Sequence, residues 1–77
     1  MTGTAVAEQK VALTINGGRR EIPERWSLAD LLVSLALDPR MVVIEYNGTI
    51  LRDRESFSRV PLARNDSIEI VHFVGGG

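Results

Sequence analysis

The residues with the clearest chemical potential are Gly75, Gly76 and Gly77, which follow the apolar run VHFV. An α-carboxylate is ionised at neutral pH and can act as an oxygen nucleophile. Because glycine has no Cβ atom, three in a row make the thinnest possible polypeptide, which can enter a narrow channel in another protein. We therefore expect the carboxylate of Gly77 to react, with Gly75 and Gly76 threading it into an enzyme's active site.

A glycine tail cannot bind tightly by itself, because ordering each residue costs about 1–2 kcal/mol. The folded part of the chain must supply the affinity. The alternation in SIEIVHFV predicts that Ile68 and Ile70 face a core. Glu69, Val71 and Phe73 then face solvent. Two exposed apolar side chains beside a glycine tail favour a protein-binding surface, so we expect these three residues to dock a partner.

Other kinds of chemistry have little support in the sequence. His72 is the only histidine, and we expect it to be partly solvated near the tail, with contact to a partner protein as the alternative. Nothing places a serine on the strained turn that a serine–histidine–aspartate site needs. Cysteine is absent, which excludes disulfides and cysteine-based zinc sites. We expect no catalytic residue, no metal site and no bound cofactor.

The composition bounds the class of protein. The chain has 77 residues and a formal charge of −1, which predicts one domain and argues against nucleic acid or an anionic membrane as a partner. We expect residues 1–9 to be a disordered lead-in, residues 10–74 to fold, and residues 75–77 to form a flexible tail. The start lacks the features of a signal peptide, and without cysteine a reducing cytoplasm is the expected location.

Two strands and a tight turn are predicted first. In KVALTING, Val11, Leu13 and Ile15 alternate with residues that point the other way, which is typical of a half-buried strand. The run Asn16–Gly18 accepts positive φ and predicts a hairpin into a second strand, RREI. Pro23 ends that strand because it cannot donate to the ladder.

The segment WSLADLLVSLAL predicts the main helix. One apolar stripe is formed by four leucines at helical spacing: Leu28, Leu31, Leu32 and Leu35. Ser27 is the predicted N-cap, with Asp30 at the capping-box position. Trp26 and Leu31 are placed to form a hydrophobic staple. Asp38–Pro39 is predicted to stop the helix, because the residue before proline is disfavoured in the α region.

Three further strands complete the prediction: MVVIEY in the interior of the sheet, a short TIL after the turn at Asn47–Gly48, and SIEIVHFV. The connection RDRESFSRVPLARND is expected to hold one short helical turn, pinned to the core by Phe57, Val60 and Leu62. This order of elements predicts an α+β fold of the β-grasp (ubiquitin-like) type. It has a mixed four- to five-stranded sheet with one main helix packed on one face.

The segments VVIEYNGTILRD and NDSIEIVHFVGGG resemble the ThiS family, the sulfur carriers of thiamin biosynthesis. The resemblance covers Lys10 to Gly77 and is most specific from Asp66 onward, where an acidic turn, a strand and a terminal diglycine form one run. It implies that a ThiF-type enzyme uses ATP to adenylate Gly77 and that a sulfur donor enzyme supplies the sulfur of a thiocarboxylate. A ThiG-type thiazole synthase would then receive that sulfur, and the chain would be a co-substrate, not an enzyme.

Three alternatives stay open. A MoaD-like carrier of molybdopterin synthesis has the same fold, chemistry and terminal glycines, although the loop ALDPRMVVIEYNG and the ending HFVGGG look more like the thiazole branch. A ubiquitin-like protein modifier would transfer its terminus to lysine amines of other proteins. In a plain β-grasp interaction module, the tail would be inert.

Overall fold

The computed structural model of the chain describes residues 9–73. Most of the predicted lead-in and the whole glycine tail therefore lie outside the described residues. Within this range the strands and main helix are β1 (Lys10–Ile15), β2 (Gly18–Pro23), α1 (Leu28–Ser34), β3 (Val42–Tyr46), β4 (Thr49–Leu51) and β5 (Ser67–His72). Two 3₁₀ helices, Pro39–Met41 and Arg54–Arg59, flank β3 and β4.

The five strands form one mixed sheet in the order β2-β1-β5-β3-β4. Only β1 and β5 are parallel, and the other neighbours are antiparallel. The strand that leads toward the C-terminus is therefore in the middle of the sheet, with β3 also in the interior. The predicted α+β fold, a mixed sheet with one main helix, is confirmed.

Both tight turns are built from an Asn-Gly pair. The φ angles are 50° at Asn16 and 82° at Gly17, and 49° at Asn47 and 86° at Gly48. Positive φ at both central residues is the type I′ geometry, whose twist matches that of the flanking strands. The two predicted turns are confirmed.

One face of the sheet packs against α1 and the second 3₁₀ helix. The predicted inward residues of β1 are all buried, and Leu28, Leu31 and Leu32 of the helix are at most 1% exposed. Leu35 is only partly buried at the edge of this cluster. Phe57 and Leu62 are buried and Val60 packs against them, so the polar connection is pinned to the core as predicted.

Local hydrogen bonds between Ser27 and Asp30 determine where α1 starts. The Oγ of Ser27 accepts a hydrogen bond of 3.2 Å from the amide of Asp30, and an Asp30 carboxylate oxygen accepts one of 2.8 Å from the amide of Ser27. This is the predicted capping box, and each side chain satisfies an amide that the helix leaves unpaired. Trp26, just before it, packs against the same core cluster as Leu31.

The prediction for the end of the helix is wrong. The helix ends at Ser34, because Ala36 turns the backbone into the left-handed region at a φ of 58°. The amide of Ala36 then donates to the carbonyl of Val33 at 3.0 Å, and that of Leu37 to the carbonyl of Leu32 at 2.9 Å. These two bonds are the Schellman pattern that closes many helices.

Asp38 and Pro39 start a new element instead of stopping the old one. Asp38 caps the first 3₁₀ helix by accepting a hydrogen bond of 2.9 Å from the amide of Arg40. Its carboxylate also pairs with the Arg40 guanidinium at 2.8 Å. The hydrogen bonds from Arg40 lower the pKa of Asp38 to about 2.

The buried carboxylate of Asp66 links the end of β3 and the turn after it to the loop before β5, a role that the sequence pattern did not indicate. Asp66 is 8% exposed and accepts hydrogen bonds from the Tyr46 hydroxyl at 2.7 Å, the Asn47 side-chain amide at 3.1 Å and the backbone amide of Ala63 at 2.7 Å. A buried carboxylate requires such partners. Burial and then the bond to Asp66 raise the pKa of Tyr46 to about 12.

Within residues 9–73, no helix combines the length and the apolar character that a membrane crossing requires.

Candidate functional site

The predicted docking residues lie on and just beyond β5. Ile68 is fully buried and Ile70 is half-buried, so the strand turns these side chains toward the core. Glu69 is exposed on the opposite face, Val71 is 58% exposed and Phe73 is 44% exposed. The predicted orientation of all three is confirmed, and their role in docking stays a prediction.

The backbone remains paired up to the last described residue. The amide of Phe73 donates a hydrogen bond of 2.8 Å to the carbonyl of Met41, which extends the β3–β5 pairing past His72. His72 itself is exposed, as predicted. The first 3₁₀ helix, which carries Met41, is held in turn by a 2.9 Å hydrogen bond from Arg54 Nε to the carbonyl of Pro39.

A side chain of the first turn fixes the other edge of β5. The Asn16 side-chain oxygen accepts a hydrogen bond of 2.7 Å from the amide of Ile70, and its amide group donates one of 3.3 Å to the carbonyl of Ile70. These bonds continue the β1–β5 ladder, whose backbone register covers only two residue pairs. The strand that carries Val71 is thus bonded along both edges.

The exposed face of the sheet contains further apolar residues that were not among the predicted docking residues. Val43 is directly opposite Val71 in the β3–β5 register, and Ile50 of β4, 48% exposed, is opposite Glu45. The main helix α1 packs on the other face, and among residues 9–73 no helix covers these side chains. We call the apolar residues of this face the open patch: Val43, Ile50, Val71 and Phe73.

A local signal could have located two of the missed residues. The two-residue turn at Asn47–Gly48 fixes the register of β3 against β4, and that register places Ile50 on the face of Glu45. Val42 and Ile44 are buried, so Val43 between them must face outward. The mostly apolar run MVVIEY predicted an interior strand but did not by itself separate the two faces of that strand.

Two acidic residues are also opposite each other on this face. Glu45 of β3 and Glu69 of β5 are directly opposite each other in the register. On this face they are the next cross-strand pair after Val43 and Val71. Both glutamate side chains are exposed.

Beside β4, a shallow depression of about 180 Å³ is lined by Val42, Val43, Ile50, Leu51, Arg52 and Arg54.

The described range presents an exposed apolar sheet face next to the glycine-rich segment. Across residues 9–73, no three side chains of histidine, aspartate or glutamate come together in a way that could hold a metal ion. What this range presents is an open sheet face whose central strand leads into the glycine-rich segment. Gly75, Gly76 and Gly77 themselves lie outside the described residues.

A comparison with known protein families shows which family this chain belongs to. The model of the ThiS family matches residues 9–77, which include the glycine tail. The chain belongs to the ThiS family. This confirms the resemblance that was noted in the sequence.

Individual ThiS relatives agree with the family match. The sulfur carrier protein ThiS of Bacillus subtilis is 45% identical over 51 residues, which are 66% of this chain and 76% of that protein. The crystal structure of the thiamine biosynthesis protein ThiS from Geobacter metallireducens superposes with a TM-score of 0.72 at 31% identity, covering 87% of this chain and 100% of that one.

A second group of relatives is much longer than this ThiS-family chain. A thiazole synthase of Magnetococcus marinus is 35% identical over 63 residues, and one of Paramagnetospirillum magneticum is 37% identical over 65 residues. These matches cover 82% and 84% of this chain but only 19% and 20% of the synthases. A segment similar to this chain is thus part of a longer thiazole synthase in both organisms.

Proposed function

We propose that this protein carries sulfur for the thiazole ring of thiamin, with the sulfur held on Gly77. The observation that carries the proposal is the position of β5. Its exposed face bears Val71, and the polypeptide continues from this strand into the glycine segment. A single match to the ThiS family model covers both the strand and the glycines. The Bacillus subtilis relative is named a sulfur carrier protein, which supports the same role here. The protein acts as a co-substrate in the cytoplasm, a reducing compartment compatible with a chain that has no cysteine.

The proposed chemistry starts at the α-carboxylate of Gly77. In a ThiF-type enzyme, one carboxylate oxygen attacks the α-phosphorus of ATP, the bond to the β-phosphate breaks, and pyrophosphate leaves. A sulfide equivalent from a sulfur donor enzyme then attacks the carbonyl carbon of the acyl-adenylate, and AMP leaves. The product is a thiocarboxylate on Gly77. This chain contributes the carboxylate and the narrow approach to it, and ATP binds to the partner.

The open patch provides the binding energy that the tail lacks. Burying apolar surface contributes about 25 cal/mol per Å², whereas each tail residue that becomes ordered costs about 1–2 kcal/mol. Val71 and Phe73 stand at the base of the tail, so an enzyme that covers them also receives Gly75, Gly76 and Gly77. Glu69 lies on the same face and contributes a charge to the contact.

The receiving partner that we propose is a ThiG-type thiazole synthase. Two thiazole synthases contain a segment similar to this chain, and joining two modules in one polypeptide raises their effective concentration toward each other. This favours the thiazole branch over molybdopterin synthesis, the MoaD-like alternative.

The direct test is a loading reaction followed by the mass of the intact protein. With ATP, a ThiF-type enzyme and a sulfur donor system, we expect a mass change equal to the exchange of one oxygen for one sulfur at the C-terminus. A variant without Gly76 and Gly77 keeps all of residues 9–73, so we expect it to fold, and it serves as the control that should not be loaded. An unchanged mass in conditions that load another ThiS protein would contradict the proposal, as would a mature chain that extends beyond Gly77.

The growth requirements of a strain without this gene distinguish a role in thiamin synthesis from a role in molybdopterin synthesis. We expect it to require thiamin for growth and to retain the activity of its molybdenum-cofactor enzymes. The opposite pattern would assign the protein to molybdopterin synthesis. Conjugates of the tail with lysine side chains of other proteins would assign it to the protein modifiers.

A further inference from the structure

The last described backbone amide is held by a short helix and not by a strand. The β3–β5 register ends where Val42 is opposite His72. The next amide, that of Phe73, donates its 2.8 Å hydrogen bond to the carbonyl of Met41, the last residue of the first 3₁₀ helix. The position of this helix therefore sets where the backbone at Phe73 is held.

Little apolar packing keeps the first 3₁₀ helix in place. Pro39 and Arg40 are exposed, and Asp38 and Met41 are half-buried. The ion pair of Asp38 with Arg40 and the 2.8 Å bond from the amide of Met41 to the carbonyl of Asp38 lie within this segment. They stabilise its shape but not its location. A segment with few buried contacts opens easily, so bonds that reach it from other segments decide its position.

Arg54 makes such a bond. Its Nε donates at 2.9 Å to the carbonyl of Pro39, which is 15 positions away in the chain and at the other end of the helix from the bond to Phe73. Arg54 begins the second 3₁₀ helix, which is fixed to the core by Phe57, a side chain only 1% exposed. A continuous path of contacts thus runs from the core through Arg54 and the first 3₁₀ helix to the backbone of Phe73.

We propose that Arg54 is a positioning residue for loading. Through the first 3₁₀ helix it fixes the backbone at Phe73, and with it the direction in which the carboxylate of Gly77 is presented to the adenylating enzyme. This rests on the proposed function. Without the Arg54 bond, Phe73 must also be ordered each time the tail enters the enzyme, which reduces the share of productive complexes. Arg54 is not one of the residues of the open patch, so docking of the sheet face is preserved and the loss is in the rate of the bound complex.

The test compares Arg54→Gln with Arg52→Gln, two substitutions that remove the same charge from the same depression. Within residues 9–73, no hydrogen bond joins the Arg52 side chain to the first 3₁₀ helix, so Arg52→Gln is the matched control. Loading by a ThiF-type enzyme is measured over a series of carrier concentrations. We expect Arg54→Gln to lower kcat about tenfold with KM unchanged, and Arg52→Gln to leave both at their wild-type values.

Amide hydrogen exchange of the free protein tests the anchor without any enzyme. In Arg54→Gln, the amide of Phe73 should exchange faster than in the wild type by up to about tenfold, the ratio equivalent to one hydrogen bond. The amide of Ile70 is the internal reference, because it donates to the side chain of Asn16 on the other edge of β5. We expect its exchange rate to stay unchanged, and Arg52→Gln should affect neither amide.

Two results would overturn the positioning role of Arg54 through a different explanation of the same bond. An equal rise in KM for both arginine variants would show that the two charges bind a partner directly. Faster exchange at Ile70 as well as at Phe73 would show that Arg54 stabilises the whole fold.

The remaining outcomes separate this inference from the proposed function. An unchanged kcat for Arg54→Gln would overturn the inference even if the thiocarboxylate forms normally. Faster exchange at Phe73 alone, with no loading of any protein including the wild type, would support the anchor and contradict the sulfur-carrier proposal.

Discussion

The amide of Phe73 is bonded to the carbonyl of Met41 at 2.8 Å, so sheet pairing holds the backbone until just before the glycine segment. Only residues 74–77 separate this anchor from the proposed reacting carboxylate. Four extended residues span at most about 13–14 Å. An enzyme that contacts the Phe73 side chain must therefore place its adenylation site within this distance.

The first prediction concerns the width of the tail. Gly76→Ala adds a methyl group at a position outside the described residues 9–73, and we expect the midpoint of unfolding to stay unchanged. Loading by the adenylating enzyme should slow by up to about 100-fold, the size of effect that small misplacements at a reacting centre produce. The measurement is the rate of adenylate or thiocarboxylate formation at saturating enzyme.

A glycine elsewhere in the chain provides the control for this prediction. Gly18 does not have a positive φ, and a Cβ atom added there would make an ordinary 3.7 Å contact with the carbonyl of Ile15. Gly18→Ala should therefore leave both stability and loading close to those of the wild type. Normal loading of Gly76→Ala would show that the tail does not enter a narrow channel.

The second prediction tests the open patch with two exposed valines. Val71 on β5 is 58% exposed and Val33 on α1 is 77% exposed, so either can be changed to serine with little loss of core packing. We expect Val71→Ser to weaken binding to the adenylating enzyme about tenfold, equivalent to about 1.4 kcal/mol, and Val33→Ser to leave it unchanged. If a titration gave equal affinities for Val71→Ser and Val33→Ser, Val71 on β5 would not be part of the interface with the adenylating enzyme.

The third prediction is a pH dependence that comes from Tyr46. Its pKa in the folded protein is about 12, raised by burial and by the bond to Asp66, whereas an unfolded tyrosine titrates near 10. A raised folded-state pKa means that this stabilisation is fully present below about pH 10 and is lost as the pH rises through 12. The free energy of unfolding of the wild type should therefore fall more steeply over this interval than that of Tyr46→Phe.

Two measurements check the tyrosine prediction. Denaturant unfolding at a series of pH values gives the difference in slope, and the tyrosinate absorbance reports the titration directly, because the chain has one tyrosine. At neutral pH, Tyr46→Phe should cost about 1–2 kcal/mol, since Asp66 loses one of its donors. Parallel pH profiles of the two proteins would contradict the raised pKa.

The parts of the fold that could be predicted are those whose causes are local in sequence. Alternation identified the faces of β1 and β5, the Asn-Gly pairs identified the turns, and the capping box of Ser27 and Asp30 identified the start of α1. Each depends on residues at most a few positions apart. The outward orientation of Glu69, Val71 and Phe73 was predicted for the same reason, since these residues alternate with core-facing ones in one segment.

The features that were missed depend on contacts between distant segments. Asp66 is bonded to side chains 19 and 20 residues away, so its burial could not be inferred from its neighbours in sequence. The opposition of Glu45 and Glu69 requires the register of β3 against β5, which only the folded sheet defines. The early end of α1 was missed because alanine rarely adopts the left-handed conformation found at Ala36.

The last prediction follows from that alanine. A left-handed conformation costs an L-residue about 1–2 kcal/mol, and glycine at the same position would avoid this cost. Glycine also gives the unfolded chain more freedom, which offsets about 0.4–1 kcal/mol. Ala36 is exposed, so its methyl group contributes little packing. We expect Ala36→Gly to stabilise the protein by about 0.5–1 kcal/mol, measured by urea unfolding.

The same substitution inside the helix should have the opposite sign. Ala29 has helical geometry and packs against the core, so Ala29→Gly should destabilise by at least about 0.5–1 kcal/mol. The pair of variants has identical chemistry and differs only in the backbone conformation at the site. If both lowered the free energy of unfolding equally, the left-handed turn at Ala36 would carry no strain, and the Schellman bonds to Val33 and Leu32 would have to account alone for where the helix ends.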